Sequence, residues 1–130
     1  MTLSGHVTVL VVDDEEMVRR LAARMLLDEG YRILESPGGS EALRLLQRSS
    51  GQINGVLTDV AMPGLGGRQL GETILRCWPG IRVLYMSGYT AKRIGDEWAL
   101  NPASFFIQKP FTADQLRNKM RQVLADPIIQ

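Results

Sequence analysis

VTVLVVDDEE, the stretch from Val7 to Glu16, passes from a β-branched apolar run straight into four consecutive acids. Val7 to Val12 suits a pleated, fully buried strand, because branched side chains pack well there and the run is too short for a buried helix. The acids that follow cannot continue the core. Glu15 and Glu16 fit the front of a helix, where negative charge meets the positive end of the helix dipole. Asp13 and Asp14 fall at the carboxyl end of the strand itself.

The same alternation repeats along the chain. Met17, Val18, Leu21, Ala22, Met25 and Leu26 recur at helical spacing, and Gly30 closes that helix. Tyr31 to Leu34 predicts a second strand, Ser36-Pro37-Gly38-Gly39 a turn, and Ser40 to Arg48 a helix with Ala42, Leu45 and Leu46 inward. Gly55 to Thr58 (GVLT) predicts a third strand ending in Asp59. The loop MPGLGG follows, then a helix with Leu70, Ile74 and Trp78 at four-residue spacing, broken by Pro79-Gly80. Ile81 to Met86 predicts strand four. Thr90 to Leu100 is the weakest helix, with Ile94 and Trp98 as its only stripe. Ser104 to Gln108 predicts strand five, and Thr112 caps a last helix carrying Ala113, Leu116, Met120, Val123 and Leu124.

Five strands alternating with five helices imply an α/β fold with a parallel sheet covered by helices on both faces. Right-handed crossovers narrow this to a doubly wound sheet, and the flavodoxin-like order 2-1-3-4-5 is its usual five-stranded form. The chain of 130 residues is expected to form one domain over residues 1–130, with a core of about 7–125 between short tails. With 15 basic and 14 acidic residues, nothing in the charge balance asks for a nucleic-acid or membrane partner. One cysteine, Cys77, excludes an internal disulfide and suits a reducing cytoplasm, as does the lack of a signal-peptide pattern. Cys77 itself is expected to be a small buried hydrophobe.

In the 2-1-3-4-5 order strands 1 and 3 are neighbours, and ligands sit at the carboxyl ends of the strands. Asp13 and Asp14 follow strand 1, Asp59 ends strand 3, Ser87 follows strand 4 and Lys109 follows strand 5. Separate pieces of chain thus bring three acids, a hydroxyl and an amine to one rim. Clustered carboxylates repel one another, and a hard divalent cation such as Mg2+ relieves this. A carboxylate can also attack phosphorus to give an aspartyl phosphate. Metal, Lys109 and Ser87 would then stabilise the phosphoryl charge, with Gly88 leaving room beside it. Taken singly, each residue has a plainer role: Asp13 and Asp14 as helix-capping acids, Asp59 as a turn residue, Ser87 as a loop serine, Lys109 as a surface lysine. Their convergence is what favours a site. The GLGG stretch is not a nucleotide loop, because DDEE follows the first strand in place of a glycine-rich turn.

These motifs resemble the receiver domains of response regulators and hybrid histidine kinases over nearly the whole chain. VLVVDDEE resembles the family's first strand and acidic pair, and DVAMPGLGG its phospho-acceptor loop. MSGYT resembles its hydroxyl motif and FFIQKPF its lysine-proline motif. The resemblance implies Asp59 as the phosphorylated residue, with Ser87 and Lys109 contacting the phosphoryl group. It implies Mg2+ held by the side chains of Asp14 and Asp59, by Asp13 through a water, and by the carbonyl of Ala61. It further implies a cis Lys109–Pro110 bond and an aromatic switch at Phe106, which here lacks the hydroxyl of a tyrosine. Phe105 and Phe106 face opposite ways, one of them into the core. Tyr89 is expected to cover part of the site and to affect attack of water on the phosphoryl group.

MSGYT and FIQKPFTADQL look most similar to receivers of hybrid sensor kinases. The implied function is acceptance of a phosphoryl group from a phosphohistidine, on a histidine kinase or a histidine phosphotransfer domain, followed by a change in partner surface. The domain would be a cytoplasmic signalling module, excised from a membrane-anchored kinase or free-standing, a monomer or weak dimer, and not an enzyme acting on external substrates. A phosphate-independent binding module of the same fold is the alternative. A Mg2+-dependent phosphohydrolase is disfavoured, because no general base stands near Asp59. His6 is off any helix and a poor phosphohistidine candidate. Arg19, Arg20 and Arg24 read as a solvated helix face. Lys92 and Arg93 lie where receivers usually bind partners.

Overall fold

The computed structural model describes residues 7–88 and 105–125. Strand β1 (Thr8–Val12) leads into helix α1 (Glu16–Leu27), then β2 (Arg32–Ser36) and α2 (Gly39–Ser49). A short 3-10 turn (Ser50–Gln52) precedes β3 (Gly55–Asp59), α3 (Gly67–Cys77) and β4 (Arg82–Ser87). Strand β5 (Phe105–Gln108) and helix α4 (Ala113–Ala125) complete the described chain. The five strands form one parallel sheet in the order β2-β1-β3-β4-β5. The expected helix over 90–100 lies outside the described residues, as do Tyr89, Lys92, Arg93, Ser104, His6 and the tails.

β1 lies inside the sheet between β2 and β3, and every one of its residues is buried. Side chains alternate across it, so its valines and leucine divide between two cores. Val9 and Val11 join Ala22, Ala23, Leu26, Leu57, Leu84, Met86, Leu116 and Met120 on the face covered by α1 and α4. Leu10 and Val12 join Ala42, Leu46, Val56, Leu70 and Ile74 on the face covered by α2 and α3. Burial of apolar surface on both faces is the main stabilising term, at about 25 cal/mol per Å². Thr112 caps α4 as expected: its hydroxyl accepts from the N–H of Gln115 at 3.1 Å, and its own N–H donates to Gln115 Oε1 at 2.8 Å. Among the described residues, no helix is long and apolar enough to cross a membrane.

Two readings of the helices need correction. The apolar stripe on α1 is wider than its buried face. Ala22, Ala23 and Leu26 point into the core, whereas Met17 and Leu21 stand 86% and 60% exposed. Cys77 is exposed as well. α3 turns Leu70, Gly71 and Ile74 inward, and Trp78, one turn after Ile74, takes the next place on that face.

Register carries the strand ends to one edge. Val12 pairs with Thr58 across β1 and β3, so Asp13 and Asp59 emerge side by side. Ser87 pairs with Gln108, so Lys109 emerges beside Ser87. The turn from β3 to α3 packs tightly beneath this edge: a Cβ at Gly67 would collide with the carbonyl oxygen of Asp59 and press on Thr58. A clash with main chain cannot be relieved by a rotamer change. Gly67→Ala is therefore expected to destabilise the fold by about 1–3 kcal/mol in urea unfolding. Gly51→Ala, with open space around its Cβ, should stay within about 0.5 kcal/mol of the parent. Equal stabilities for the two variants would contradict this packing.

Candidate functional site

Asp13 is fully buried, yet every polar atom it has is bonded. Its N–H donates to the Ser36 carbonyl at 3.2 Å. Its own carbonyl accepts from Arg19 Nη1 at 3.0 Å. Oδ1 accepts from the Glu15 N–H at 2.9 Å, and Oδ2 from Lys109 Nζ at 3.1 Å. Such complete satisfaction is what lets a carboxylate exist without water. The same Lys109 ammonium lies 3.5 Å from Asp59 Oδ2. Asp14, the next residue along, is exposed. One carboxylate oxygen from each of Asp13, Asp14 and Asp59 lies within 4.8 Å of the other two.

Lys109 reaches this cluster from the end of β5. Its N–H donates to the Ser87 carbonyl at 2.7 Å, continuing the β4–β5 pairing by one step. The Lys109–Pro110 bond is cis. Ser87 is buried beside it. On the β3 side, the Val60 N–H donates to the Met86 carbonyl at 3.0 Å, and the Gly67 N–H to the Val60 carbonyl at 2.9 Å, which fixes the chain leaving Asp59. The side chains of Asp13, Asp14, Asp59 and Lys109 therefore gather at one edge, with Ser87 joined to Lys109 through the main chain.

The electrostatics follow from this crowding. Burial pushes the Asp59 carboxyl above its ordinary range. Lys109 pulls it back down, Asp13 adds to the rise, and the Ala61 N–H favours the ionised form. Burial also acts to lower the Lys109 ammonium, but Asp59 and Asp13 outweigh it and hold the group above its usual value. Three carboxylates face one ammonium, a formal excess of two negative charges at the rim. Hard oxygen donors with that excess, open to water through Asp14, fit a divalent cation of the Mg2+ kind.

Phe105 and Phe106 do part as expected. Phe105 packs against the α1/α4 core with Lys119 Nζ 5.9 Å from its ring centre. Phe106 stacks on Tyr85, centroids 5.4 Å apart. Burial first, and Glu72 second, push the Tyr85 phenol up to about 12. That phenol lies against α3 at Gly71, where any Cβ would overlap its hydroxyl. Arg19 departs from the solvated face read for it. It is 13% exposed and spans from Glu35 Oε1, 3.1 Å from its Nε, to the Asp13 carbonyl. Nothing in the sequence marks Tyr85, Arg19 or Glu35 for the site, since none lies in a motif.

The sequence signature of the response regulator receiver domain matches residues 9–121. This chain belongs to that family. The receiver is 33% identical to the sensor kinase CckA of Brucella abortus over 94% of this chain and 13% of that protein. It is 38% identical to the hydrogenase transcriptional regulatory protein HoxA of Cupriavidus necator over 90% of this chain and 24% of that protein. The solved receiver domain of the hybrid histidine kinase CckA superposes with a TM-score of 0.75 at 32% identity, covering 90% of this chain and 98% of that one. The chain thus spans less than a quarter of the length of the two curated relatives. The receiver is a signalling domain of the two-component type.

A raised carboxyl pKa means that the folded state holds its proton more tightly than the unfolded chain does. The ionised form then costs stability at pH above the folded value, and the cost vanishes below the unfolded value of roughly 3.9. In EDTA near neutral pH, Asp59→Asn should therefore unfold at higher urea than the parent, since Lys109 keeps Asp13 as partner. The gap should close as pH falls through the Asp59 titration. A less stable Asp59→Asn near neutral pH would show that Lys109 outweighs burial at Asp59.

Proposed function

We propose that the receiver accepts a phosphoryl group on Asp59 from a phosphohistidine, carried by a histidine kinase or a histidine phosphotransfer domain, with Mg2+ bound at the acidic rim. The observation that supports this best is the placement of Asp59. Its carboxylate is largely buried, sits beside two further carboxylates, and faces the Lys109 ammonium from a third element of the sheet.

The residues divide the work by how they are bonded. Both carboxylate oxygens of Asp13 already accept hydrogen bonds, from Glu15 and Lys109. That suits contact with the metal through a water. Asp14 and Asp59 would hold it by their side chains and Ala61 by its carbonyl. When bound, the ion would neutralise charge on the carboxylates and on the transferring group.

A carboxylate oxygen of Asp59 forms the new bond to phosphorus while the bond from phosphorus to the donor's imidazole nitrogen breaks. The electron pair stays on that nitrogen. Lys109, already 3.5 Å from Asp59, offers its ammonium to the charge on the phosphoryl oxygens, and the Ser87 hydroxyl offers a further hydrogen bond. Phe106, stacked on Tyr85, would pass the change on to a partner surface. The domain would act in the cytoplasm, either within a longer sensor kinase or alone, and would not process an external substrate.

Incubation with Mg2+ and acetyl phosphate, followed by intact mass, is expected to show one added phosphoryl group. Asp59→Asn, or EDTA, should abolish it. No adduct with several small donors would overturn the proposal in favour of a phosphate-independent binding module.

A further inference from the structure

The receiver's acidic rim is held by main chain as much as by side chains, and one cation is responsible for part of that. The carbonyl of Asp13 belongs to the peptide unit that leads into Asp14. Arg19 Nη1 donates to it at 3.0 Å, while Arg19 Nε is anchored on Glu35 Oε1 at 3.1 Å. Glu35 lies on β2, paired with Val11 of β1 just before the acids. The Asp13 N–H is meanwhile tied to Ser36, the last residue of the same strand. Strand β2 therefore holds the Val12–Asp13 peptide through the Asp13 N–H, and Arg19 of helix α1 holds the Asp13–Asp14 peptide that follows through the Asp13 carbonyl.

That matters for Asp14 more than for Asp13. Asp13 is also fixed through both side-chain oxygens. Asp14 is exposed, so its carboxylate is aimed chiefly by the backbone it stands on. Rotating that peptide plane would swing the Asp14 side chain away from Asp13 and Asp59. Burial of Arg19 to 13% exposure, with its planar fork shared between a carbonyl and a carboxylate, is a geometry lysine cannot reproduce.

We propose that Arg19, anchored by Glu35, is a positioning residue for the cation site, fixing the Asp13–Asp14 peptide so that Asp14 faces Asp13 and Asp59. The inference rests on the Mg2+-binding reading given above. It makes a prediction opposite in sign to simple charge. A fixed positive charge near a cation site repels the cation, so charge alone has Arg19→Met binding Mg2+ more tightly. Positioning has it binding more weakly, because partners behind the ligands commonly carry about 10–100-fold of metal affinity.

The test is Mg2+ affinity by titration calorimetry on the whole chain, with no phosphodonor present. Arg19→Met is expected to weaken binding about tenfold, with Arg19→Lys recovering only part of the loss. Glu35→Gln, which keeps Arg19 but loosens its anchor, should weaken binding in the same direction. Arg24→Met removes an equal charge from the same helix, where Arg24 pairs with Asp28 at the surface, and should stay within about twofold of the parent. Amide exchange at Asp14 and Glu15 should quicken in Arg19→Met and not in Arg24→Met. Should Arg19→Met fail to fold, as judged by circular dichroism, Arg19→Lys decides the matter: it keeps the charge, so charge alone leaves Mg2+ binding at the parent's level and positioning weakens it. Parent-like or tighter Mg2+ binding in Arg19→Met and Glu35→Gln, beside a parent that binds, overturns the positioning role and leaves the phosphoryl-acceptor reading intact. A parent that binds no Mg2+ overturns both.

Discussion

The Lys109 ammonium, 3.1 Å from Asp13 and 3.5 Å from Asp59, is the contact on which the arrangement at the sheet edge depends. Asp13 has no access to water. A buried carboxylate without a partner is severely unfavourable, and removing one member of such a pair costs far more than the pair contributes. Lys109 supplies that partner from the far side of the sheet, and in doing so joins the ends of β1, β3 and β5. The ammonium does not neutralise the rim fully. Two negative charges remain, and burial keeps the Asp59 carboxyl above its usual range. The folded chain thus holds a site with unmet electrostatic demand, which a divalent cation or a phosphoryl group with its counter-ion can satisfy.

This demand is maintained by rigid parts. Asp59 leaves β3 through a main-chain turn held by Val60 and closed over by α3, whose Gly67 permits contact with the Asp59 carbonyl. Asp13 and Asp14 leave β1 through a turn tied to β2 and to α1. None of the three carboxylates is placed by a long side chain searching for a partner. Each leaves its strand through a turn tied by main-chain hydrogen bonds, so little ordering remains when a ligand arrives.

Much of this could be read from the amino-acid order. The valine-rich β1 and GVLT of β3 have the composition of strands buried on both faces, and their parallel order follows from alternation with helices. Once β1 and β3 are neighbours, the acids at their ends must meet, and Lys109 is carried in by β5. The parts that were not legible depend on partners distant in sequence. Arg19 has the spacing of a solvated helix residue, and only the approach of Glu35, sixteen positions later, turns it inward. Met17 and Leu21 share the apolar period of α1, but period does not say where a sheet of finite width stops covering the helix. Cys77 looked like core for its residue type, while its angle on α3 put it outside.

Phe106 shows how far the site's chemistry constrains what lies beyond it. Its ring stacks on Tyr85, two residues before Ser87 on the neighbouring strand, and the Tyr85 phenol in turn rests against α3 at Gly71. A phenylalanine has no hydroxyl, so under the proposed phosphoryl-acceptor role a change arriving from Ser87 and Lys109 would pass residue 106 by packing and not by a side-chain hydrogen bond. A ring in an offset stack moves only if its neighbour gives way, and Tyr85 has little room, with α3 on one side and Phe106 on the other. Coupling between the edge of the sheet and the Phe106 surface would therefore run through steric contact of two aromatic rings with a helix, and the size of residues 71, 85 and 106 would set its strength.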